Sequence, residues 1–298
     1  MNSDTLAYLA RTLVQRNRAE PREYYESTTA DYEPWSAAGN MHFGYHTSGM
    51  DWLDREAQLQ RMTDEVGQRL QLTNEPVRIA DFGCGTGAPL RRLLQNHSNW
   101  HATGLTIASN QASQARELAR KNRLNNRMTV LCEDFRNTSF PPQRFDGVIA
   151  MESFCYGTGF NKHDVLREAR RLLRPGGRLV IADGFLKTMV ALPGYLGTAH
   201  EKLCEGWHLD TLPCRTAVDA QLKELGFRDI HWEDISMRVL PSMLHVPGVS
   251  SSYILELLRQ SDDVDEFRWG HATAPWLAIV LGMARRYFGY YLLSATRD

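Results

Sequence analysis

The stretch VRIADFGCGTG, residues 77–87, constrains the fold of this chain more than any other. Its small and β-branched residues Val77, Ile79 and Ala80 predict a buried strand. The run closes on Asp81, turns through Gly83, Gly85 and Gly87, and enters APLRRLLQN, which reads as a helix. Strand, glycine turn and helix N-terminus together let a ligand lie against bare backbone. The spacing is G-x-G-x-G and not the G-x-G-x-x-G of dinucleotide sites, which points away from hydride chemistry.

A strict alternation surrounds this turn. Strands are expected at 77–82, 101–106, 128–132, 145–151 and 178–185, with helices at 88–96, 108–123 and 162–173 and a turn at RPGG, 174–177. Alternating strands and helices predict an α/β, doubly wound, mostly parallel sheet with both faces covered. After residue 185 the pattern breaks into an irregular segment at 186–215, a helix at 216–225, a strand at 227–236 and a helical or irregular segment at 238–284. The closing YFGYYLLSA is expected as a seventh strand, antiparallel to its neighbours. Ahead of the glycine turn, 1–20 reads as an amphipathic helix with Leu6, Leu9, Leu13 and Val14 on one face, 21–50 as an aromatic, glycine-containing loop, and 52–70 as a helix.

A net charge of −1 gives no field that would favour nucleic acid or an anionic membrane. No segment reaches the roughly 18 apolar residues that span a bilayer. The N-terminal twenty residues lack a continuous apolar core. Arg11, Arg16 and Arg18 there are offset by Asp4 and Glu20, against a transit peptide. Cys84, Cys132, Cys155, Cys204 and Cys214 form no C-x-x-C pair, and their odd number suits reduced thiols in the cytoplasm. Cys84 reads as a small side chain fitting the turn. No cluster has metal-ligand spacing.

Residues 77–87 resemble motif I of the Rossmann-like, class I S-adenosylmethionine-dependent methyltransferases. The resemblance implies that Gly83, Gly85 and Gly87 admit the methionine part of the cofactor and that Asp81 meets its ammonium group. The stretch GLTIASNQ, 104–111, resembles G-[ILV]-T-L-S-x-x-Q of sterol, tocopherol and cyclopropane-lipid enzymes. In these Thr and Gln replace the usual ribose carboxylate, which implies Thr106 and Gln111 as cofactor contacts. Asp134 and Phe135 would meet the adenine, and Met151 at the end of FDGVIAM would border the cofactor. The fold expected is the seven-stranded methyltransferase sheet, with 1–70 as a helical lid and 71–298 as the catalytic domain carrying cap insertions at about 186–215 and 238–284.

The acceptor is read from a second set of residues. Glu152 follows the fourth strand in M-E-S, similar to the N-E-S-like stretch of terpenoid C-methyltransferases that methylate prenyl diphosphates. A carboxylate there would remove a proton from a carbocation or steady it. MHFGY, 41–45, resembles a lid segment of the same enzymes and implies that Tyr25, Met41, His42 and Tyr45 cover the cofactor and acceptor. Tyr156 and His208 join them as acceptor contacts. Aromatic cap segments suit an apolar, isoprenoid substrate. At most one or two of His200, His208, His245 and His271 would touch it, and Arg238 is placed to meet an anionic head group. Mg²⁺ would enter only with a diphosphate.

The expected activity is therefore methylation of a carbon in a small apolar metabolite of terpenoid or other secondary metabolism, with cyclisation of the cation left open. An O- or N-methyltransferase using His42 or His208 as base is the first alternative. A cofactor-binding scaffold without catalysis is the second. The acceptor's identity and any homo-oligomer remain open.

Overall fold

The computed structural model describes residues 21–73, 76–260 and 266–298; the helix expected over 1–20 lies outside them. The strands are β1 (Val77–Phe82), β2 (Trp100–Thr106), β3 (Met128–Cys132), β4 (Phe145–Met151), β5 (Leu173–Leu186), β6 (Phe227–Asp234) and β7 (Phe288–Arg297). They form one sheet in the order β3-β2-β1-β4-β5-β7-β6. The first five are parallel to one another, and β7 runs antiparallel between β5 and β6. This is the sheet that the alternation predicted.

The helices are α1 (Pro21–Thr28), α2 (Arg55–Leu70), α3 (Ala88–Asn96), α4 (Ser109–Lys121), α5 (His163–Leu172), α6 (Gly194–Gly206), α7 (Arg215–Glu224), α8 (Ser236–Met243), α9 (Val246–Gln260) and α10 (Glu266–Met283). Side chains alternate across a strand, so each strand feeds two cores. Ile79, Ile149, Val180 and Leu292 pack with Val66 of α2, Leu93 of α3 and Ala115 of α4. Ala80, Val148, Ile181 and Leu293 pack on the other face with Leu166 and Ala169 of α5 and Val218 and Leu222 of α7. Burial on both faces explains why β1 and β4 read as apolar runs and not as alternating patterns.

Two boundaries differ from expectation for local reasons. Residues 174–177 are not a turn ahead of β5 but a bulge inside it: Phe145 pairs with Leu173 and Gly147 with Arg178. Gly176, at φ +76°, makes that detour without strain. The strand expected to reach 236 ends at Asp234, whose carboxylate accepts the Ser236 N–H at 3.1 Å and starts α8. The segment read as a loop over 21–50 contains α1 and a 3₁₀ turn, Thr29–Tyr32.

The cap segments build a separate apolar core. Leu196 and Leu203 of α6 and Leu281 of α10 join Leu186 and Phe288. The two helices approach closely at Gly206 and Gly270: a Cβ on Gly206 would lie 2.9 Å from the Gly270 carbonyl oxygen. No helix among the described residues is long and apolar enough to cross a membrane.

Candidate active site

The strand order reverses between β1 and β4, and the crevice beyond their C-terminal ends is where such sheets bind ligands. Ser153, just past β4, donates to the Phe82 carbonyl at the end of β1 and ties the two ends together. Gly83 turns directly against it: a Cβ there would sit 2.4 Å from Ser153 Cβ. Gly83 and Gly85 both have positive φ, +86° and +53°.

The N-terminal segment is laid across this turn. Thr86 Oγ1 donates to the Gly39 carbonyl at 2.9 Å, and the buried Arg91 donates to the carbonyls of Thr86 and Ala38. Met41 Sδ lies where a side chain on Gly85 would be, 2.8 Å from its ideal Cβ. Asn40 is anchored from the other side by Glu56 of α2 at 3.1 Å. The cleft so enclosed is lined by Asp81, Gly83, Gly85, Thr106, Gln111, Phe135 and Met151 from the sheet, and by Tyr25, Met41, His42, Glu152 and Tyr156.

Two features of the cleft ask for a ligand. Asp81 is 1 % exposed, yet neither carboxylate oxygen has a hydrogen-bond partner. Burial pushes its pKa up to about 7. A buried carboxylate left bare is costly unless a cationic donor completes it. The glycine turn beside it has no side chains to fill the space. Thr106 Oγ1 donates to Gln111 Oε1 at 2.7 Å, and Gln111 Nε2 donates to Thr29 Oγ1 at 3.1 Å. That pair stands at the end of β2 with no carboxylate. Phe135 stacks on Phe82 with centroids 5.5 Å apart.

Several expected contacts lie elsewhere. Asp134 is not in the cleft lining; it is paired with Arg136 at 2.7 Å, which lowers its pKa against the effect of partial burial. Gly87 is the N-cap of α3, and a side chain there would strike Met128. Tyr45 is in the core under α2, with the Arg238 guanidinium 5.9 Å from its ring. His208 packs between Tyr24 and Phe267. His245 bonds the Trp52 carbonyl, and His200 contacts Cys204 and the Leu212 N–H. His271 bonds the Tyr24 hydroxyl at 2.8 Å.

Beyond the cleft lies a larger cavity of about 280 Å³. Its walls are Tyr25, Tyr32, Phe43, Tyr156, Trp207, Phe288 and aliphatic residues of α6, α8 and α10. Glu152 lines both this cavity and the cleft. It has φ +49°, a left-handed backbone that a non-glycine residue adopts at a cost, and such strain gathers at functional sites. The Phe43 N–H donates to Glu152 Oε1 at 2.6 Å, and the Tyr290 hydroxyl donates to the same oxygen at 2.8 Å. Neither of these donors reaches Oε2. Burial pushes the Glu152 pKa up to about 8; the two donors pull it down and Asp183 adds to the rise. Asp183 itself, held by the N–H groups of Cys155 (2.9 Å) and Gly184 (2.7 Å), is raised by burial to about 6. Tyr25 donates to the Tyr156 hydroxyl at 2.9 Å, which donates to the Trp207 carbonyl at 3.0 Å.

Sequence reasoning missed Asp183, Tyr290, Tyr32 and Trp207. Asp183 had a usable signal, since it interrupts an apolar strand near the C-terminal end that faces the crevice. Tyr290 had none, because its partner is 138 residues away.

Residues 79–177 match the family described as a methyltransferase domain. Over 198 residues the chain is 31% identical to the O-methyltransferase rstn1 of Aspergillus nomiae, covering 66% of this chain and 84% of that protein. The chain belongs to the S-adenosylmethionine-dependent methyltransferases. Within that family it is also 33% identical over 216 residues to the 24-methylenesterol C-methyltransferase 2 of Oryza sativa subsp. japonica, covering 72% of this chain and 57% of that one. The crystal structure of the [4+2]-cyclase SpnF superposes with a TM-score of 0.72 at 25% identity, over 94% of this chain and 98% of that chain.

Proposed function

We propose that this methyltransferase alkylates an alkene carbon of a neutral, isoprenoid-class acceptor, with Glu152 as the base that completes the reaction. The observation that carries the reading is the placement of Glu152. It stands at the one wall shared by the cofactor cleft and a mostly apolar cavity, with Oε1 held by two donors and Oε2 bare.

S-adenosylmethionine, when bound, supplies an electrophilic methyl group on a sulfonium. Asp81 would take its ammonium group, and the turn at Gly83 and Gly85 would lie beneath its methionine part. The Thr106–Gln111 pair and Phe135 would border the nucleoside, and Met41 would cover it. In the acceptor the π pair forms the new carbon–carbon bond as the sulfur–methyl pair leaves with sulfur. The cation left on the neighbouring carbon is surrounded by Tyr25, Tyr32, Tyr156 and Trp207, whose ring faces stabilise positive charge. Glu152 Oε2 then removes a proton from an adjacent carbon, and that C–H pair becomes the new double bond. Walls that exclude water protect the cation until then. A second alkene of the acceptor within reach would instead close a ring.

The charge of the lining favours a neutral terpenoid over a prenyl diphosphate. Among the described residues Arg285 is the one cationic side chain in that lining, and it lies 3.3 Å from Asp234. That single, already paired guanidinium leaves a diphosphate poorly neutralised. O-methylation is the second reading, favoured by the match to the O-methyltransferase relative over most of its length. Glu152 would then deprotonate a hydroxyl. Incubating an acceptor panel of neutral terpenoids, prenyl diphosphates and phenols with deuteromethyl-labelled cofactor separates the readings. Label on carbon of a neutral terpenoid supports C-methylation. Label only on oxygen or nitrogen overturns it.

A further inference from the structure

A second, smaller cavity of about 100 Å³ adjoins the main one across Tyr32, Met41, Phe43, Glu152 and Trp207, which line both. The rest of its wall differs in character. Asp31, His42, Ser250, Tyr253 and His271 supply polar groups, set between Trp35, Val246, Val249, Ala272 and Pro275. The main cavity's apolar wall therefore gives way, past Glu152, to a polar end.

Most of these polar groups are committed within the protein. Asp31 accepts from the Tyr253 hydroxyl and pairs with Arg268 at 3.1 Å. Ser250 donates to the Ala272 carbonyl at 2.6 Å and accepts from Trp276 Nε1 at 2.9 Å. His271 is bonded to Tyr24. His42 is the exception. Its ring is 4 % exposed, and Nδ1 lies 2.8 Å from the Phe43 carbonyl oxygen. A carbonyl only accepts, so the ring proton sits on Nδ1 and Nε2 carries a bare lone pair. That Nε2 is buried and has no partner. The spaces His42 borders are the cofactor cleft and this side cavity. A buried acceptor left unpaired is unfavourable, so a ligand donor belongs there.

We infer that the side cavity is a subsite for a neutral, hydroxyl-bearing end of the acceptor, whose O–H donates to His42 Nε2. The inference rests on the reading of the main cavity as the acceptor site and narrows its acceptor to an apolar chain with one alcohol group. Asp31 and Arg268 cancel each other's charge at this end, so a neutral group is matched and a phosphate is not. The hydroxyl is anchored and not activated: His42 is held neutral by burial, with its pKa pushed down to about 4, too weak a base to take an alcohol proton. The Phe43 main chain links the two functions, with its carbonyl on the His42 ring and its N–H on Glu152. An acceptor end docked at His42 therefore fixes the chain relative to the Glu152 carboxylate.

The test is equilibrium binding to the protein loaded with S-adenosylhomocysteine, followed by calorimetry. The probes are farnesol, farnesyl methyl ether and the hydrocarbon farnesene. Wild type should bind the alcohol about tenfold more tightly than the ether or hydrocarbon. His42→Phe should erase that preference by weakening the alcohol alone. His42→Gln, whose amide oxygen still accepts, should restore part of it. S-adenosylhomocysteine affinity should be the same in all three proteins. Equal binding of the three probes, no binding of any, or an equal loss for all in His42→Phe overturns the subsite. So does a cofactor affinity that falls with His42→Phe, because the histidine would then serve the cofactor. Mass spectrometry of turnover reads the other question separately. Methyl on the farnesol oxygen overturns C-methylation, whereas tight alcohol binding without methylation leaves the subsite standing and overturns only the choice of reaction.

Discussion

The cofactor cleft and the acceptor cavity share Glu152 but are built in opposite ways. The cleft is drawn from the ends of neighbouring strands, β1, β2 and β4, and from the turn between β1 and α3. Its demands are local: positive φ at Gly83 and Gly85, a bare carboxylate at Asp81, a paired Thr106 and Gln111. The cavity draws on α1, the segment around Met41 and Phe43, α6, α8, α10, β5 and β7, which meet only when the whole chain has folded. The cleft carries bare polar groups awaiting a partner, and the cavity carries acids already held by donors. The first arrangement binds a fixed cofactor. The second can vary its walls with little effect on the sheet, which is how one fold can serve different chemistries.

Glu152→Gln should have the largest effect, because this side chain lines both spaces. The amide keeps the size and can still accept from Phe43 and Tyr290, but cannot take a proton. Turnover on a carbon acceptor should fall by about 10²–10⁴-fold, with S-adenosylhomocysteine binding unchanged in calorimetry. Near wild-type turnover would remove Glu152 from the chemistry. A matching loss of cofactor affinity would mean that cleft and cavity are not separable.

Asp81→Asn tests the other side. Loss of the charged partner should weaken cofactor binding by about ten- to a hundredfold, while turnover at saturating cofactor stays close to wild type. The same residue gives a pH signature. Its pKa of about 7 in the folded protein lies above the ordinary carboxylate value of 3.8. Binding an ammonium needs the ionised form, so affinity should rise about tenfold per pH unit up to about 7 and then level. In Asp81→Asn it should be flat. For the ligand-free protein the sign runs the other way: the stability contributed by protonated Asp81 is complete below about pH 4 and is lost as pH rises through about 7. Thermal melts of the two proteins should therefore lie closest at low pH and separate through that window, with wild type falling below Asp81→Asn as the pH rises.

The difference in construction also decides what could be read from the chain alone. Asp81, Gly83 and Gly85 were legible because a ligand-bearing turn needs those residue types at that spacing wherever it occurs. Glu152 was legible because it directly follows a strand end. Asp134 shows what local reading does not reach: its carboxylate is paired with Arg136, two residues on, and it is not among the residues lining the cleft. Tyr45 and His208 show the same limit in the lid and cap. Aromatic and histidine side chains there suit a substrate wall and a packed core equally, and only tertiary contact separates Tyr156, which lines the cavity, from His208, which packs between Tyr24 and Phe267. Asp183 and Tyr290 reach Glu152 from β5 and β7 through sheet pairing, with Gly184 opposite Tyr290.

Tyr290→Phe is the smallest expected effect and the finest probe of that convergence. It removes one donor from Glu152 Oε1 and leaves the ring, the strand and the Phe43 donor in place. A hydrogen bond to the ionised carboxylate favours that form, so its loss should raise the Glu152 pKa above about 8. If the ionised carboxylate is the base, the rising limb of the turnover–pH profile should move to higher pH. Turnover near pH 7 should then fall by about three- to tenfold. Raising the pH should recover most of the loss, which no packing defect would do. A uniform loss at every pH would assign Tyr290 to the wall of the cavity alone. An unchanged profile would leave the Phe43 N–H, and not the hydroxyl from β7, as the donor that sets the carboxylate.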